Sequence, residues 1–398
     1  MDATKAMQDS GALRLAARGR WAVATMFFIN GFITGSWAPQ IPVFLDRLEI
    51  SKFTLGVLIL VFGLGALTFM PLAGYLMSRH GSRAVVRGFA AFAVFGLLIV
   101  ALTPNPYLAA PALYLFGGLV GGMDVAMNAN AVAVERRLSR AVMSSSHGFW
   151  SLGGFVGGGL GGLAIQNFGH VAHAGMVTVV AVALLLIATR HLIGETPSPL
   201  HGKRHSFRLP STPTVYLIGL LALFSMVPEG AVLDWAALYL AQELGAELAA
   251  AGLAFAFFSG AMAVMRFAGD GIRTRFGAVT TLRASSLVAA CGVFAAAISP
   301  WPWLAIAAFA FSGLGIANMV PIAFSAGGNQ PGMAPGTGMS VVTTMGYTGI
   351  LVAPSAIGFA AEHIGFSPIF MILAGCLLMV SLMAGMAHTA DFAPQPAE

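Results

Sequence analysis

Apolar residues in this chain run in blocks of about twenty, broken by short clusters of Arg, Lys, Gly, Pro and Ser. A helix of that length rises about 30 Å, enough to cross hydrocarbon. Twelve such spans are predicted. The first six cover 21–43, 54–77, 84–103, 107–134, 145–166 and 171–190. The second six cover 214–240, 250–269, 284–299, 303–326, 338–361 and 367–388. Between the sixes lies "GETPSPLHGKRHSFRLPSTP", 194–213, the one stretch composed as a linker. The expected domains are a six-helix bundle over 1–193, the linker, and a second six-helix bundle over 214–398. The expected fold class is an all-α polytopic membrane protein.

Charge sharpens this picture. Only 9% of the 398 residues are charged, against roughly 25% in soluble proteins, so water does not cover most of this surface. Seventeen of the twenty Lys and Arg precede span 1, flank the 2–3, 4–5 and 8–9 loops, or lie at the linker. Arg47 and Lys52 lie on the other side, and Arg266 lies within a span. By the positive-inside rule both termini are expected in the cytoplasm. The pI near 9.6 therefore reflects topology, and no nucleic-acid partner is expected. The basic start leads straight into a full-length span without a cleavable signal pattern. Cys291 and Cys376 sit in apolar runs and read as small buried hydrophobes.

The halves also match. At an offset of 196, Gly56 meets Gly252, Phe62 meets Phe258, and Arg79, Gly81 and Arg87 meet Arg275, Gly277 and Arg283. Pro104 and Pro106 meet Pro300 and Pro302, Gly117 meets Gly313, and Gly153, Gly162 and Gly169 meet Gly349, Gly358 and Gly365. Trp37 meets Trp235 at 198. Matched Pro, Arg and loop positions indicate a duplicated six-helix unit, the parallel repeat from which secondary transporters build alternating access.

"GYLMSRHGSR", 74–83, resembles the loop 2–3 signature of the major facilitator superfamily, and "DGIRTRFG", 270–277, resembles its second-half copy. The usual acid of that signature is replaced by Ser78 and Thr274, which removes a gating charge pair built on it. "GSWAPQIP" (35–42), "DVAMNANAVAVERR" (124–137), "SSSHGFWSLGG" (144–154), "PEGAVLDWAALYL" (228–240) and "GYTGILVAPSAIGFAAEHIG" (346–365) resemble the MosC-like branch. The resemblance implies the fold of that superfamily, a central cavity lined by helices 1, 4, 7 and 10, and solute transport. A sugar, polyol or inositol-amine-like solute is what it suggests.

The polar residues within spans fall mostly on those four helices. Helix 1 carries Asn30, Thr34 and Trp37 on one face, and helix 4 carries Asp124 and Asn128 one turn apart, with Asn130 turned away. Helix 7 carries Glu229, Asp234 and Trp235; helix 10 carries Asn318 and Ser325. The substrate-binding candidates are Asn30, Thr34, Trp37, Asp124, Asn128, Asp234, Trp235 and Asn318. Interhelical hydrogen bonding, at about 0.6 kcal/mol each, is the competing role for Asn30 and Asn318. Asp124 is also a candidate proton site. Arg266 and Asp270, four residues apart, read as a pair on one helix face. They join Arg79, Gly81, Arg83, Arg275 and Gly277 as gating or structural residues. His147 opens helix 5 as a helix-end residue, with proton relay as the alternative.

"PEGAVLDW", 228–235, raises the sharpest expectation. An ionisable group at mid-membrane costs about 2.5–3.5 kcal/mol on insertion scales. Pro228 lacks an amide donor and Gly230 is permissive, so the helix is expected to kink or unwind at Glu229. Glu229 is the expected proton carrier, with Asp234 gating or binding the solute. Aromatic faces at Trp37 and Trp235 suit sugar rings and amines.

Other functions fit less well. There is no Gly-x-Ser-x-Gly, phosphate-cradling loop or His-Glu-x-x-His, so no enzyme, cofactor or metal is expected. A channel needs no duplicated half, and a sensor would need a soluble output domain. A drug or metabolite efflux antiporter remains the alternative, though the helix 5 Gly-Pro step and helix 4 arginine of drug antiporters are missing. The chain is expected to be a monomeric, secondary, proton-coupled transporter in a bacterial-type cytoplasmic membrane, with a small solute and protons as partners. Reporter fusions after Pro213 and at Glu398 should both report a cytoplasmic location; periplasmic activity at either point would overturn the span count.

Overall fold

The computed structural model describes residues 2–138, 142–194, 212–331 and 337–390. Among the described residues all regular structure is helical. In chain order the first elements are α1 (Asp2–Trp37), α2 (Gln40–Arg47), α3 (Lys52–Ala93), α4 (Gly96–Ala101), α5 (Pro106–Leu138), α6 (Met143–Phe168) and α7 (His170–Thr189). Then come α8 (Pro213–Glu243), α9 (Leu248–Phe276), α10 (Ala278–Ala297), α11 (Pro302–Ile316), α12 (Met319–Gly328), α13 (Thr337–Ile364) and α14 (Phe366–Met383), closed by a 3₁₀ turn over Ala384–Ala390.

Ten described segments are long and apolar enough to span a bilayer by length and composition. One of them, Lys52–Ala101, turns at Gly81 and so carries spans 2 and 3. With α1 this makes the twelve expected spans. Three differ from the sequence reading, span 3 because it divides at Val94 and Phe95 into the end of α3 and the short α4. Span 1 stops at Trp37 because Ala38 precedes Pro39, which disfavours helical geometry for Ala38, and the short helix α2 follows. Span 10 divides at Ala317 and Asn318 into α11 and α12.

The chain forms two compact units, Met1–Ile50 with Leu58–Lys203, and Ser51–Val57 with Arg204–Glu398. Residues 195–211, most of the expected linker, lie outside the described residues. In the first unit α1 packs chiefly on α6; in the second α8 packs on α13 and α11 on α9.

The offset of 196 recurs in the backbone itself. Gly81 has φ 75° and ψ 162°, and Gly277 has φ 78° and ψ 165°. Gly169 at φ 84°, ψ 163° is matched by Gly365 at φ 76°, ψ 177°. Only glycine enters this region without strain. One tight helix contact also repeats: a side chain at Gly117 would strike the Phe62 carbonyl, and one at Gly313 the Phe258 carbonyl. In hydrocarbon, where helices gain little by hiding apolar surface from each other, such backbone approach supplies the packing.

The expectation of small buried cysteines fails in part. Cys291 is exposed on α10 and Cys376 half-buried on α14, both free. An apolar run in a spanning helix includes a lipid-facing side, so apolar surroundings do not require protein around a residue.

Gly117→Ala and Gly313→Ala should each lower the melting temperature of purified protein, by overpacking of about 1–3 kcal/mol. Gly175→Ala, where nothing lies within 4 Å of the added methyl, should not. Equal effects at all three positions would refute the close-contact account.

Candidate functional site

Several acids outside the candidate set hold helix starts. Glu135 Oε1 accepts hydrogen bonds from the Val142 and Met143 amides at 2.7 and 2.9 Å, at the start of α6. Glu243 accepts from the Phe366 and Ser367 amides at the start of α14. Glu362 accepts from the Phe53 amide at 2.8 Å, in the first turn of α3. Each satisfies an amide that the helix cannot satisfy itself, at the positive end of the dipole. The acids left inside the spans, among described side chains, are Asp124, Glu229 and Asp234.

In the first unit the candidates divide. Asn30 is buried and fully engaged: its Nδ2 donates to the Val120 carbonyl at 3.1 Å, and its Oδ1 accepts from Trp150 Nε1 at 2.9 Å. Trp37 is buried at the end of α1, edge-on to Phe44 at 5.2 Å. Thr34 keeps a buried hydroxyl without a partner. Asp124 and Asn128 are only half-buried, and Asn128 Nδ2 donates to the Asp124 backbone carbonyl at 2.9 Å. Asn130 points elsewhere, donating to Ser82 Oγ at 2.8 Å and the Ile193 carbonyl at 2.9 Å.

In the second unit Arg266 has a partner that the sequence reading did not name. Its Nη2 reaches Glu229 Oε1 on α8 at 3.2 Å. The side chain of Asp270 lies outside the described residues. The pair keeps some exposure, 16% for Arg266 and 24% for Glu229. A cross-helix partner at this depth neutralises two charges that would otherwise stand alone in hydrocarbon. The expected unwinding at Glu229 is also absent, since α8 runs helically from Pro213 through Pro228 to Glu243. Proline within a spanning helix is tolerated where neighbours and small adjustments re-satisfy the freed carbonyl.

Because α8 is unbroken, Asp234 sits about 140° around from Glu229. It faces α13 rather than α9, lining a small cavity with Ile350, Ala353, Pro354 and Ile357. Asp234 is 8% exposed, and no described residue hydrogen-bonds its carboxyl. Trp235 is fully buried against Phe366, ring centroids 5.6 Å apart, with its indole N–H unpartnered. Asn318 sits at the break between α11 and α12 without a side-chain capping bond, packed on Gly269 with its Nδ2 unpartnered.

The gating candidates take local partners. Arg79 lies 4.8 Å over the Tyr75 ring and Arg275 5.3 Å over Phe276. Arg83 has a buried, unpartnered Nε. His147 stacks edge-on against Phe27 at 5.0 Å. Sequence reading missed Trp150, the partner of Asn30; its signal is the glycine-rich seam beside it, where side chains at Gly31 or Gly153 would strike the facing helix backbone.

A family model described as Major Facilitator Superfamily matches residues 23–330. An uncharacterized MFS-type transporter of Yersinia pestis is 36% identical over 359 residues, covering 90% of this chain and 93% of its own. The membrane protein MosC of Rhizobium meliloti is 31% identical over 363 residues, covering 90% and 88%. Among solved structures, a D323A mutant of the nucleoside transporter NupG superposes with TM-score 0.74 at 13% identity, covering 92% of this chain and 99% of that one. A D-xylose–proton symporter gives 0.70 at 15%, covering 92% and 96%.

Breaking one side of the ion pair strands the other charge. Arg266→Met should cost up to about 3 kcal/mol, the low end for a buried pair because both groups keep some exposure. The double variant Glu229→Gln/Arg266→Met should recover part of the loss in melting temperature. A double variant no more stable than Arg266→Met alone would show that the pair is not coupled.

Proposed function

This chain belongs to the major facilitator superfamily, and from that premise we propose that it moves a small polar solute by proton-coupled alternating access. The multi-pass chain resides, on this reading, in a bacterial-type cytoplasmic membrane as a monomer, with both termini cytoplasmic. A sugar, polyol or inositol-amine-like molecule is the solute class that the MosC-like resemblance favours. Sharing a fold with a D-xylose–proton symporter is compatible with that class.

The observation that carries proton coupling is the Glu229–Arg266 pair within the spans. While Glu229 is ionised, it holds Arg266. A proton arriving at Glu229 cancels its charge and frees the guanidinium, so the tie between α8 and α9 responds to proton occupancy. Partial exposure of both groups supplies a route for water to that proton. On the first unit, Asp124 and Asn128 offer acceptors and an amide to solute hydroxyl or ammonium groups. Asn30 and Trp37 support that wall through their protein contacts, and Thr34 offers an unpartnered hydroxyl. Trp235 and Asn318, each with an unpartnered N–H group, form the corresponding polar set of the second unit. The reading requires no ATP-binding motif, and the sequence contains none.

A thermal-stabilisation screen of sugars, polyols and amines on purified protein identifies the solute, because binding raises stability by mass action. In vesicles, Glu229→Gln should then abolish accumulation driven by a pH gradient while preserving counterflow exchange. Asn128→Ala should weaken solute binding roughly tenfold, the loss of about 1.4 kcal/mol, with folding intact. If Glu229→Gln vesicles still accumulate solute on a pH gradient, the ion pair is not the coupling element.

A further inference from the structure

We propose that Asp234 is a second proton-binding site, separate from the Glu229–Arg266 pair, in which the carboxyl carries a proton inside the α8–α13 cavity. The proposal rests on the proton-coupled reading and deepens it by placing a proton on a particular side chain. Two acids on one helix are in opposite situations. Glu229 has a guanidinium at 3.2 Å, whereas Asp234 is 92% buried, as its 8% exposure shows, and among the described residues no donor or cation pairs with it. They stand about 7.5 Å apart along the axis and on different faces.

The cavity itself selects the occupant. Its free volume is about 10 Å³ for the centre of a water, room for a single water molecule and none for a sugar. Beyond Asp234 and Trp235, its walls are apolar residues of α8 and α13. Pro354 supplies one polar feature, because it has no amide to donate to the Ile350 carbonyl one turn earlier. One carboxyl and one under-used carbonyl are too few oxygens for a bare hard cation, which takes six or more. They suit a carboxylic O–H with a bridging water. When a proton leaves bulk water for Asp234, an O–H bond forms at the carboxylate and its charge is cancelled; release returns the proton to water.

The duplicated unit supports the assignment. At the 198 offset that matches Trp37 with Trp235, Asp234 corresponds to Ser36, and at 196 Ala353 corresponds to Gly157. Ser36 faces Gly157 closely, and its buried hydroxyl also lacks a partner. Both copies therefore place position 36 or 234 against the same point of the facing helix. Only the second copy puts an acid there, beside a cavity.

Among the described side chains no other charge occupies the site. From α9, Arg266 is held by Glu229, Arg273 donates to Ser325 and Ala390, and Arg275 lies on Phe276. From α13, Glu362 accepts the Phe53 amide and His363 bonds the Phe359 carbonyl. Lys52, packed along α13 in the same unit, lies 4.7 Å over Phe366 and donates to the Ala361 carbonyl. Elements α11, α12 and α14 bear no Asp, Glu, Lys, Arg or His, and His388 of the terminal 3₁₀ turn bonds the Gly385 carbonyl.

Infrared difference spectroscopy on purified protein in lipid, titrated from mildly acidic to mildly alkaline pH without solute, reads the site directly. The wild type should show a carboxylic-acid C=O component, sensitive to D₂O, that fades as pH rises and returns on re-acidification. Asp234→Asn should lose that component, Asp234→Glu should shift it, and Glu229→Gln and Asp124→Asn should retain it. Replacing sodium by choline should leave it unchanged. A component that survives Asp234→Asn, vanishes in Glu229→Gln, fails to titrate while the protein stays folded, or is displaced by sodium would overturn the assignment. A titrating Asp234 without pH-driven accumulation would sink the coupled reading alone; accumulation without an Asp234 component would sink only this site.

Discussion

Helices surrounded by hydrocarbon gain almost nothing from burying apolar side chains against one another, so close approach of their backbones decides how they associate. This protein meets that constraint with glycine placed opposite carbonyl groups. Gly117 fits against Phe62, and Gly313 against Phe258, at matched positions of the duplicated unit. On α6, Gly153 and Gly157 receive α1, so that Asn30 can reach Trp150 across the seam. The polar contacts depend on this proximity. Without it, an amide such as Asn30 would lie unsatisfied in lipid, and the helices would lose both packing and hydrogen bonds.

The same solvent explains where charges are allowed. Most of the basic residues lie at loops, while Glu135, Glu243 and Glu362 sit at helix starts, where the amides they accept offset their charge. Inside the spans, Glu229 and Arg266 neutralise each other across α8 and α9. Asp234 receives no such compensation among the described residues and lines a cavity with room for one water. The two acids of "PEGAVLDW" therefore do different work because the helix carrying them is continuous. A break at Pro228 would have changed their relative facing; α8 keeps them about 140° apart.

Much of this is legible in the sequence because the bilayer imposes length and polarity on each span. Twelve spans follow from apolar blocks, and the matched Gly81 and Gly277 carry the duplication down to their dihedral angles. Other features depend on distant contacts. From a single helix, Asp270 is the visible neighbour of Arg266, whereas Glu229 lies 37 residues away and becomes its partner only through helix packing. The burial of Trp37 follows from Phe44 on α2, a helix that an apolar count merges into span 1. The lipid-facing position of Cys291 is hidden for a similar reason: hydropathy measures apolar surroundings without telling protein from lipid.

On the proposed reading the charge pair yields to a proton and the duplicated bundle alternates its access, so solute and protons cross in step. The direct measurement is external pH in lightly buffered vesicles containing purified protein, after adding a solute identified by thermal stabilisation and with no imposed gradient. The account predicts a pH shift that grows in proportion to solute taken up and disappears in Glu229→Gln. Solute entry with the external pH unmoved would contradict it.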